Sequence, residues 1–288
     1  MIELATSLAA VARPYAVLFC DVWGVIHNGV SPFASAVAAL EAAREAGKLV
    51  LLISNSPRPG SAIPAQLGKI GVSEAAYDLI VTSGDATRAH LKTWVAAGRV
   101  RIHHIGPARD VSLFDGLGVE RVALAGADGV VCTGPFNDDT ETPDDYAQVL
   151  SEIAAAKLPF LCANPDIVVQ RGAKLIYCAG ALAQKLEALG GEAIYPGKPY
   201  APIYELSFAR VAEYLGRAVV KSEILAIGDG LKTDLLGAER FGIASLLIAD
   251  GIHADNLLRE GRLDPAALEA TCREAGVHPI AAMQRLTA

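Results

Sequence analysis

Three carboxylates follow apolar segments of the sequence and could bind a divalent cation together. Asp21 ends the segment "VLFCD", and Asp229 and Asp234 lie around a glycine-bearing loop in "ILAIGDGLKTD". Carboxylate oxygens at a loop are the ligands that Mg²⁺ prefers in proteins. Taken singly, each residue also has an ordinary structural explanation, because Asp at the end of a strand commonly caps a helix or forms a turn.

Three other polar side chains could hold an anion such as a phosphate. Ser54 and Asn55 follow the apolar segment "LVLLI", and Lys198 lies between a glycine and a proline in "PGKPY". A lysine framed in this way can point a fixed positive charge at a phosphate. The structural alternatives are a turn at the end of a strand and a solvent-exposed loop lysine.

Elements that could bring these residues together are visible as two kinds of segment that alternate along the chain. Short apolar segments are predicted to be buried strands: "AVLFCDV", "LVLLISN", "LIVTSG", "GVVCTG", "PFLCAN", "ILAIGDG" and "ASLLIA". Segments of helical periodicity lie between them: "ASAVAALEAAREAG", "DATRAHLKTWVAAG", "DDYAQVLSEIAAA", "GALAQKLEALGG" and "IYELSFARVAEYLG". This alternation predicts a parallel sheet covered by helices on both faces. Because ligands bind at the carboxyl ends of such strands, Asp21, Ser54, Asn55 and Asp229 are expected to meet there.

Composition narrows the classes of function. The chain has 288 residues, of which 52% are hydrophobic and 20% charged, as expected of a folded globular protein. Its net charge of −7 argues against a nucleic-acid partner. The five cysteines are scattered, and no segment has the roughly 20 apolar residues that a membrane span requires. We therefore predict a cytoplasmic protein without disulfides and without a membrane partner.

In chain order, the segments "VLFCD", "LVLLISN", "PGKPY" and "ILAIGDGLKTD" resemble the four motifs of the haloacid dehalogenase superfamily. The arrangement is similar to the class IIA branch of sugar-phosphate and nitrophenyl-phosphate phosphatases, and "CANPD" at residues 162–166 resembles the cap signature of that branch. The resemblance implies a doubly wound, Rossmann-like α/β core with a parallel sheet, formed by residues 1–82 and 193–288. It also implies an inserted α/β cap of the C2 type at residues 83–192, and a possible homodimer.

The resemblance assigns roles to the residues that match the motifs. Asp21 would be the nucleophile that becomes an aspartyl phosphate. Ser54, Asn55 and Lys198 would bind the phosphoryl group, with Ser54 and Lys198 taking part in catalysis. From the cap, Asn164 and Asp166 would contact the substrate, although "NPD" is also a common turn sequence.

The same comparison implies a Mg²⁺ site. Asp21, Asp229 and the backbone carbonyl of Trp23 would bind the metal directly. Asp234 would contact the groups that bind the metal without binding it directly, or would orient Lys198. No nucleotide cofactor is predicted, because "GGEAIYPGKP" lacks the glycine spacing of a P-loop.

Trp23 departs from the motif, since the family's phosphatases usually have a second Asp there. That Asp protonates the leaving oxygen and then activates water, which an indole N–H cannot do. Proton transfer of this kind contributes about 10²- to 10⁴-fold to the rate. His27 and Asn28 are the nearest candidates to replace it.

Three functions therefore stay open. The leading one is a Mg²⁺-dependent phosphohydrolase of a small phosphorylated metabolite. The others are a catalytically impaired protein that binds or senses such a metabolite, and a phosphotransferase that uses an acceptor other than water.

Overall fold

Strands and helices alternate along most of the chain in the computed structural model, which describes residues 2–172 and 174–288. The strands of these residues are β1 (Glu3–Leu4), β2 (Val17–Cys20), β3 (Leu49–Ser54), β4 (Leu79–Thr82), β5 (Arg101–Ile105), β6 (Glu120–Arg121), β7 (Gly129–Cys132), β8 (Phe160–Cys162), β9 (Val168–Arg171), β10 (Lys174–Tyr177), β11 (Ala193–Ile194), β12 (Ile224–Gly228), β13 (Ala244–Ile248), β14 (Leu258–Arg259), β15 (Arg262–Leu263) and β16 (Ala281–Met283). The helices are α1 (Leu8–Val11), α2 (Ala34–Glu45), α3 (Ile63–Ile70), α4 (Ser83–Ala96), α5 (Ala147–Ala155), α6 (Ala179–Ala188), α7 (Ala201–Leu215), α8 (Leu236–Phe241), α9 (Ala254–Leu257) and α10 (Pro265–Ala275).

The central strands are apolar at successive positions because helices cover both faces of their sheet. In β2, Val17 and Phe19 belong to a buried cluster with side chains of α7 and α8. Leu18 and Cys20 belong to a second buried cluster with side chains of α2 and α3. Since neighbouring side chains of a strand point to opposite faces, this division is that of a parallel strand buried on both sides.

The first sheet has the strand order β1-β16-β13-β12-β2-β3-β4, and each neighbouring pair is parallel. From the adjacent strands β2 and β12, the chain builds outwards in opposite directions. Such a point, where the order reverses, leaves a crevice at the carboxyl ends of the two strands. The predicted doubly wound parallel sheet is confirmed.

A second parallel sheet has the order β11-β8-β7-β5-β6. In the sequence, its strands fall between β4 and β12 of the first sheet, as those of an inserted segment would. The antiparallel hairpin β9–β10 follows β8. The division at residues 82/83 and 192/193 stays a prediction, and we propose to move the second boundary beyond Ile194, because β11 pairs with β8.

The strands and helices predicted from the sequence are all present. Other elements were not predicted from the sequence, among them β5, whose sequence "RIHHI" is partly polar, helix α3, which contains a glycine, helix α10 and the hairpin β9–β10. Within the described residues, no helix is long and apolar enough to cross a membrane.

Candidate active site

Three carboxylates converge where β2 and β12 end. Asp21 directly follows β2, and its N–H donates to the carbonyl of Ile227 in β12 at 2.8 Å. Asp229 directly follows β12, and Asp234 lies in the π-helical turn Leu231–Leu235 that comes next. One carboxylate oxygen from each lies within 4.8 Å of the others. π-Helical turns are frequent at functional sites, and this one turns Asp234 back towards Asp21.

Glycines make room for Asp229. A Cβ atom at Gly24 or at Gly251 would lie 2.1 Å from Asp229 Oδ2. Gly24 also has a φ of +85°, which disfavours other residues. The N–H of Ile252 donates to the same carboxylate oxygen at 2.8 Å. The side chain of Asp229 is therefore enclosed by main chain from two loops.

Lys198 lies between two of the carboxylates. Its buried Nζ donates to Asp21 Oδ1 and to Asp234 Oδ1, each at 2.6 Å, and to the carbonyl of Ile53 at 3.2 Å. Asn55 fixes the main chain of this lysine: Asn55 Oδ1 accepts from its N–H at 2.8 Å, and Asn55 Nδ2 donates to its carbonyl at 3.2 Å. The ammonium group therefore has a defined position.

Negative charge exceeds positive charge in this cluster. Burial and the repulsion from Asp234 raise the pKa of Asp21, although Lys198 opposes the shift. The same two causes raise the pKa of Asp229 to about 7. Burial alone would lower the pKa of Lys198, but the attraction of Asp21 and Asp234 outweighs burial and raises it. Three buried carboxylates with one ammonium group form a donor set that fits a hard divalent cation.

The carboxylate cluster opens into a cavity of about 320 Å³. Of the residues predicted from the sequence, those that line it are Asp21, Trp23, Ser54, Asn55, Asp166, Lys198, Asp229 and Asp234. A second cavity of about 400 Å³ lies beside it at the carboxyl ends of the second sheet, and Asn164 lines this one. Residues 143 positions apart, Asn55 and Lys198, thus share one site.

Comparison with known proteins identifies the family. Residues 18–120 match the haloacid dehalogenase-like hydrolase family, and residues 195–275 match the HAD-hydrolase-like family. The crystal structure of a hydrolase of the haloacid dehalogenase-like family from Brucella suis 1330 is 46% identical, with a TM-score of 0.88 over 99% of this chain and 100% of that chain. The protein belongs to the haloacid dehalogenase-like hydrolase family.

More distant relatives carry specific names. A D-glycerol 3-phosphate phosphatase of Mycobacterium tuberculosis is 25% identical over 260 residues, which span 86% of this chain and 66% of that protein. The 4-nitrophenylphosphatase of Thermotoga maritima is 23% identical, with a TM-score of 0.69 over 96% of each chain. At that identity, the second comparison bears on the fold alone.

Within the haloacid dehalogenase-like site, the two candidates for a replacement proton donor are otherwise engaged. His27 Nδ1 accepts from the N–H of Gly29 at 2.9 Å, and burial lowers the pKa of His27 to about 4. His27 lines the second cavity and is not among the described residues that line the cavity of Asp21. Asn28 does line the cavity of Asp21, but its Oδ1 accepts from the N–H groups of Val30 and Ser31.

The inserted segment contributes Asp166 to both cavities, whereas Asn164 has a local structural contact. Asn164 Oδ1 accepts from the N–H of Asp166 at 3.1 Å, which is the turn expected of "NPD". Asp166 Oδ1 accepts from Asn55 Nδ2 at 2.8 Å, and burial raises the pKa of this carboxyl group. Asp166 therefore reaches the core side of the site.

Sequence reasoning missed two parts of the lining. Asp250, which pairs with Arg285, is the first polar residue after β13, so the pattern of polar residues after strands could have found it. Arg285 lies near the end of the chain and carries no local signal. The hairpin β9–β10 also lines the cavity, and two short segments around "RG" were its signal.

Proposed function

We propose that the protein is a phosphohydrolase that acts on a small phosphorylated metabolite through an aspartyl phosphate at Asp21. The observation that carries this proposal is the buried contact of Asp21 with Lys198 at the floor of a cavity, beside two further carboxylates. Phosphate esters react extremely slowly without a catalyst, so positioning and charge neutralisation must supply most of the rate.

In the proposed reaction, a carboxylate oxygen of Asp21 attacks phosphorus and the ester oxygen leaves. Lys198 offsets the repulsion between this carboxylate and the phosphate dianion. Ser54 Oγ accepts from the N–H of Ser56 at 3.2 Å, which leaves its hydroxyl hydrogen for a phosphoryl oxygen. Water then hydrolyses the aspartyl phosphate and regenerates Asp21.

The assigned phosphate-binding residues divide into two kinds. Ser54 can donate its hydroxyl hydrogen to a phosphoryl oxygen. The three ammonium hydrogens of Lys198 are donated to Asp21, Asp234 and the carbonyl of Ile53, so we assign Lys198 an electrostatic role towards the phosphoryl group. The side chain of Asn55 is bonded to Lys198 and to Asp166, so we assign it the placement of the lysine. Asp234 holds the same ammonium group from the other side.

We propose Mg²⁺ as the cofactor, held by Asp21, Asp229 and the carbonyl of Trp23. When bound, the ion would neutralise charge on the phosphoryl group. The excess of buried carboxylates over ammonium groups supports this choice. A glycerol phosphate phosphatase of Mycobacterium tuberculosis, 24% identical to this chain, has been solved in complex with magnesium and in complex with calcium.

We assign proton transfer to Asp166, because Trp23 cannot perform it. The cavity of Asp21 is lined by Asp166 from the inserted segment, and burial favours the neutral, proton-donating form of this carboxyl group. Asp250, another carboxylate of the lining, is paired with Arg285. Asp166 can thus donate a proton to the leaving oxygen of a substrate that lies between the two cavities.

Small phosphate monoesters are the substrates that we propose. A cavity of about 320 Å³ suits a small metabolite, and the relatives include proteins named for glycerol phosphate and nitrophenyl phosphate. The cytoplasmic location, the possible homodimer and the lack of a nucleic-acid partner remain predictions.

Turnover of p-nitrophenyl phosphate with Mg²⁺ tests the function in the wild type, Asp21→Asn and Trp23→Asp. We expect wild-type turnover that Asp21→Asn reduces by at least about 10³-fold, because the nucleophile is lost. If the wild type were as inert as Asp21→Asn while Trp23→Asp gained activity, the protein would be a binding protein. A phosphoenzyme that accumulates in the wild type without release of phosphate would favour transfer to another acceptor.

A further inference from the structure

Trp23 joins two parts of the molecule across the site. Its indole Nε1–H donates to the backbone carbonyl of Gln170 in β9, at 2.6 Å. On the core side, the ring packs against Gly29, where a Cβ atom would lie 2.5 Å from Trp23 Cζ2. The ring of His27 lies edge-on, with centroids 5.0 Å apart. These contacts hold the indole on the core with its N–H directed at the hairpin.

The hairpin β9–β10 has a second contact with the same turn of the core. The N–H of Gly172 donates to the carbonyl of Asn28 at 3.3 Å. Within the inserted segment, Arg171 pairs with Asp138 at 2.9 Å. The hairpin is therefore held from both sides, and its link to the core passes through residues 23 and 28.

The position of the hairpin determines the shape of the site. Val168, Val169 and Gln170 of β9 line the cavity of Asp21. Trp23 and Val169 line this cavity and the neighbouring one as well. The indole and β9 thus form part of the boundary between the two cavities, and displacement of the hairpin would open the wall that faces the carboxylates.

We propose that Trp23 is a positioning residue that fastens the β9–β10 hairpin over the carboxylate cluster. The side chain at position 23 therefore docks the inserted segment onto the core and does not transfer a proton. The acceptor is a main-chain carbonyl, so the link depends on the residue at position 23 and is independent of the side chain at position 170. Its consequence for turnover rests on the proposed function, but the link itself does not.

Hydrogen exchange of the hairpin amides tests the link in Trp23→Phe, which keeps an aromatic ring and removes the N–H donor. We expect amides of residues 168–172 and 174–177 to exchange about three- to tenfold faster than in the wild type, the change that loss of one net hydrogen bond produces. Amides of α7 should be unchanged. Trp94→Phe controls for the loss of a tryptophan elsewhere, and its hairpin amides should exchange as in the wild type.

Unchanged exchange of the hairpin in Trp23→Phe would overturn the proposal, as would an equal acceleration of the hairpin in Trp94→Phe. If Trp23→Phe fails to fold, the wild type provides the test through the indole N–H signal of Trp23, assigned with Trp94→Phe. Slow exchange of that proton supports the link, and exchange at the rate of an exposed indole refutes it.

Turnover gives a second reading that keeps the two proposals separate. In an active protein, Trp23→Phe should raise KM for p-nitrophenyl phosphate about threefold or more and change kcat less, because a displaced hairpin weakens binding and leaves the nucleophile in place. An inactive wild type with a protected hairpin would refute the proposed function alone. An active wild type with an unprotected hairpin would refute the role of Trp23 alone.

Discussion

At the scale of single residues, the proposed mechanism assigns charge neutralisation and proton transfer to different side chains. Asp21, Asp234 and Lys198 form a buried chain of contacts at 2.6 Å, in which the ammonium group lies between the two carboxyl groups. Asp166 is held by an amide and has a raised pKa, as burial favours its neutral form. One cavity is thus lined by carboxyl groups that contact Lys198 and by one that contacts an amide.

The role of Asp166 can be tested through the leaving group. We expect Asp166→Asn to lower kcat for glycerol 3-phosphate about 100-fold, because an alkoxide must be protonated as it leaves. The loss with p-nitrophenyl phosphate should be several-fold smaller, since nitrophenolate leaves without a proton. Steady-state kinetics with both esters provides the measurement.

The two substrates also separate proton transfer from displacement of Lys198. Asp166 accepts from Asn55, which holds the lysine, and a displaced lysine would slow both esters equally. Equal losses would therefore contradict the assignment. Asp144→Asn is the matched control, because Asp144 lies in the same inserted segment with 89% of its side chain exposed.

At the scale of elements, α4 connects the first sheet to the second. Its first turn follows β4, and Leu91 and Trp94 further along pack in a buried cluster with Ile102 of the second sheet. Thr82 caps the helix: its Oγ1 accepts from the N–H of Asp85, and Asp85 accepts from the N–H of Thr82, each at 3.0 Å. The connection is therefore fixed where it leaves the core.

Removing this cap should destabilise the protein measurably. Thr82 is fully buried, and its Oγ1 also donates to the carbonyl of Arg58 at 2.7 Å. We expect Thr82→Val to lower the free energy of unfolding by about 2 kcal/mol, the upper part of the range for N-caps, because water cannot replace the lost partner. Urea denaturation measures the change.

Thr142→Val is the control for that substitution. The N–H and the Oγ1 of Thr142 both donate to the carboxylate of Asp145 three residues on, but at an exposed position where water can take its place. We expect a loss below about 1 kcal/mol. Equal losses for the two variants would show that burial of Thr82 adds nothing to its cap.

At the scale of the whole molecule, the proposed metal site would couple binding of a divalent cation to the stability of the fold. The net charge is −7, and Asp21, Asp229 and Asp234 bring three buried carboxylates within 4.8 Å. Their mutual repulsion opposes folding, and a bound divalent cation would remove it. A ligand that binds only the folded state, at a free concentration of 100 times its Kd, raises the free energy of unfolding by about 2.7 kcal/mol.

Metal removal should therefore lower the melting temperature. We expect chelation with EDTA to destabilise the wild type and excess Mg²⁺ to restore it, as measured by calorimetry. Asp229→Asn should be at least as stable as the metal-free wild type, because it loses one repelling charge, and should gain little from Mg²⁺. A full Mg²⁺ response in this variant would contradict the proposed ligand set, and Asp144→Asn should respond like the wild type.

The sequence by itself determined the sheet and the order of its polar residues. A strand buried on both faces must be largely apolar, so β2, β3 and β12 stand out, and the first polar residue at the end of each apolar segment lies at the carboxyl edge. That rule found Asp21, Ser54 and Asp229 without knowledge of any contact. It failed for β5, whose histidines make side-chain contacts with Val122 and Thr133 that no local pattern reports.

The tertiary structure alone decided how the inserted segment meets the core. Trp23 and Gln170 are 147 positions apart, and their hydrogen bond depends on how the hairpin packs on the turn after β2. Asn55 reaches Asp166 in the same way, over 111 positions. Local patterns specify which side chains must be buried in each element, whereas contacts between elements depend on the packing of both surfaces at once. For this reason Trp23 was a departure from a motif in the sequence and became a contact between two parts of the molecule in the structure.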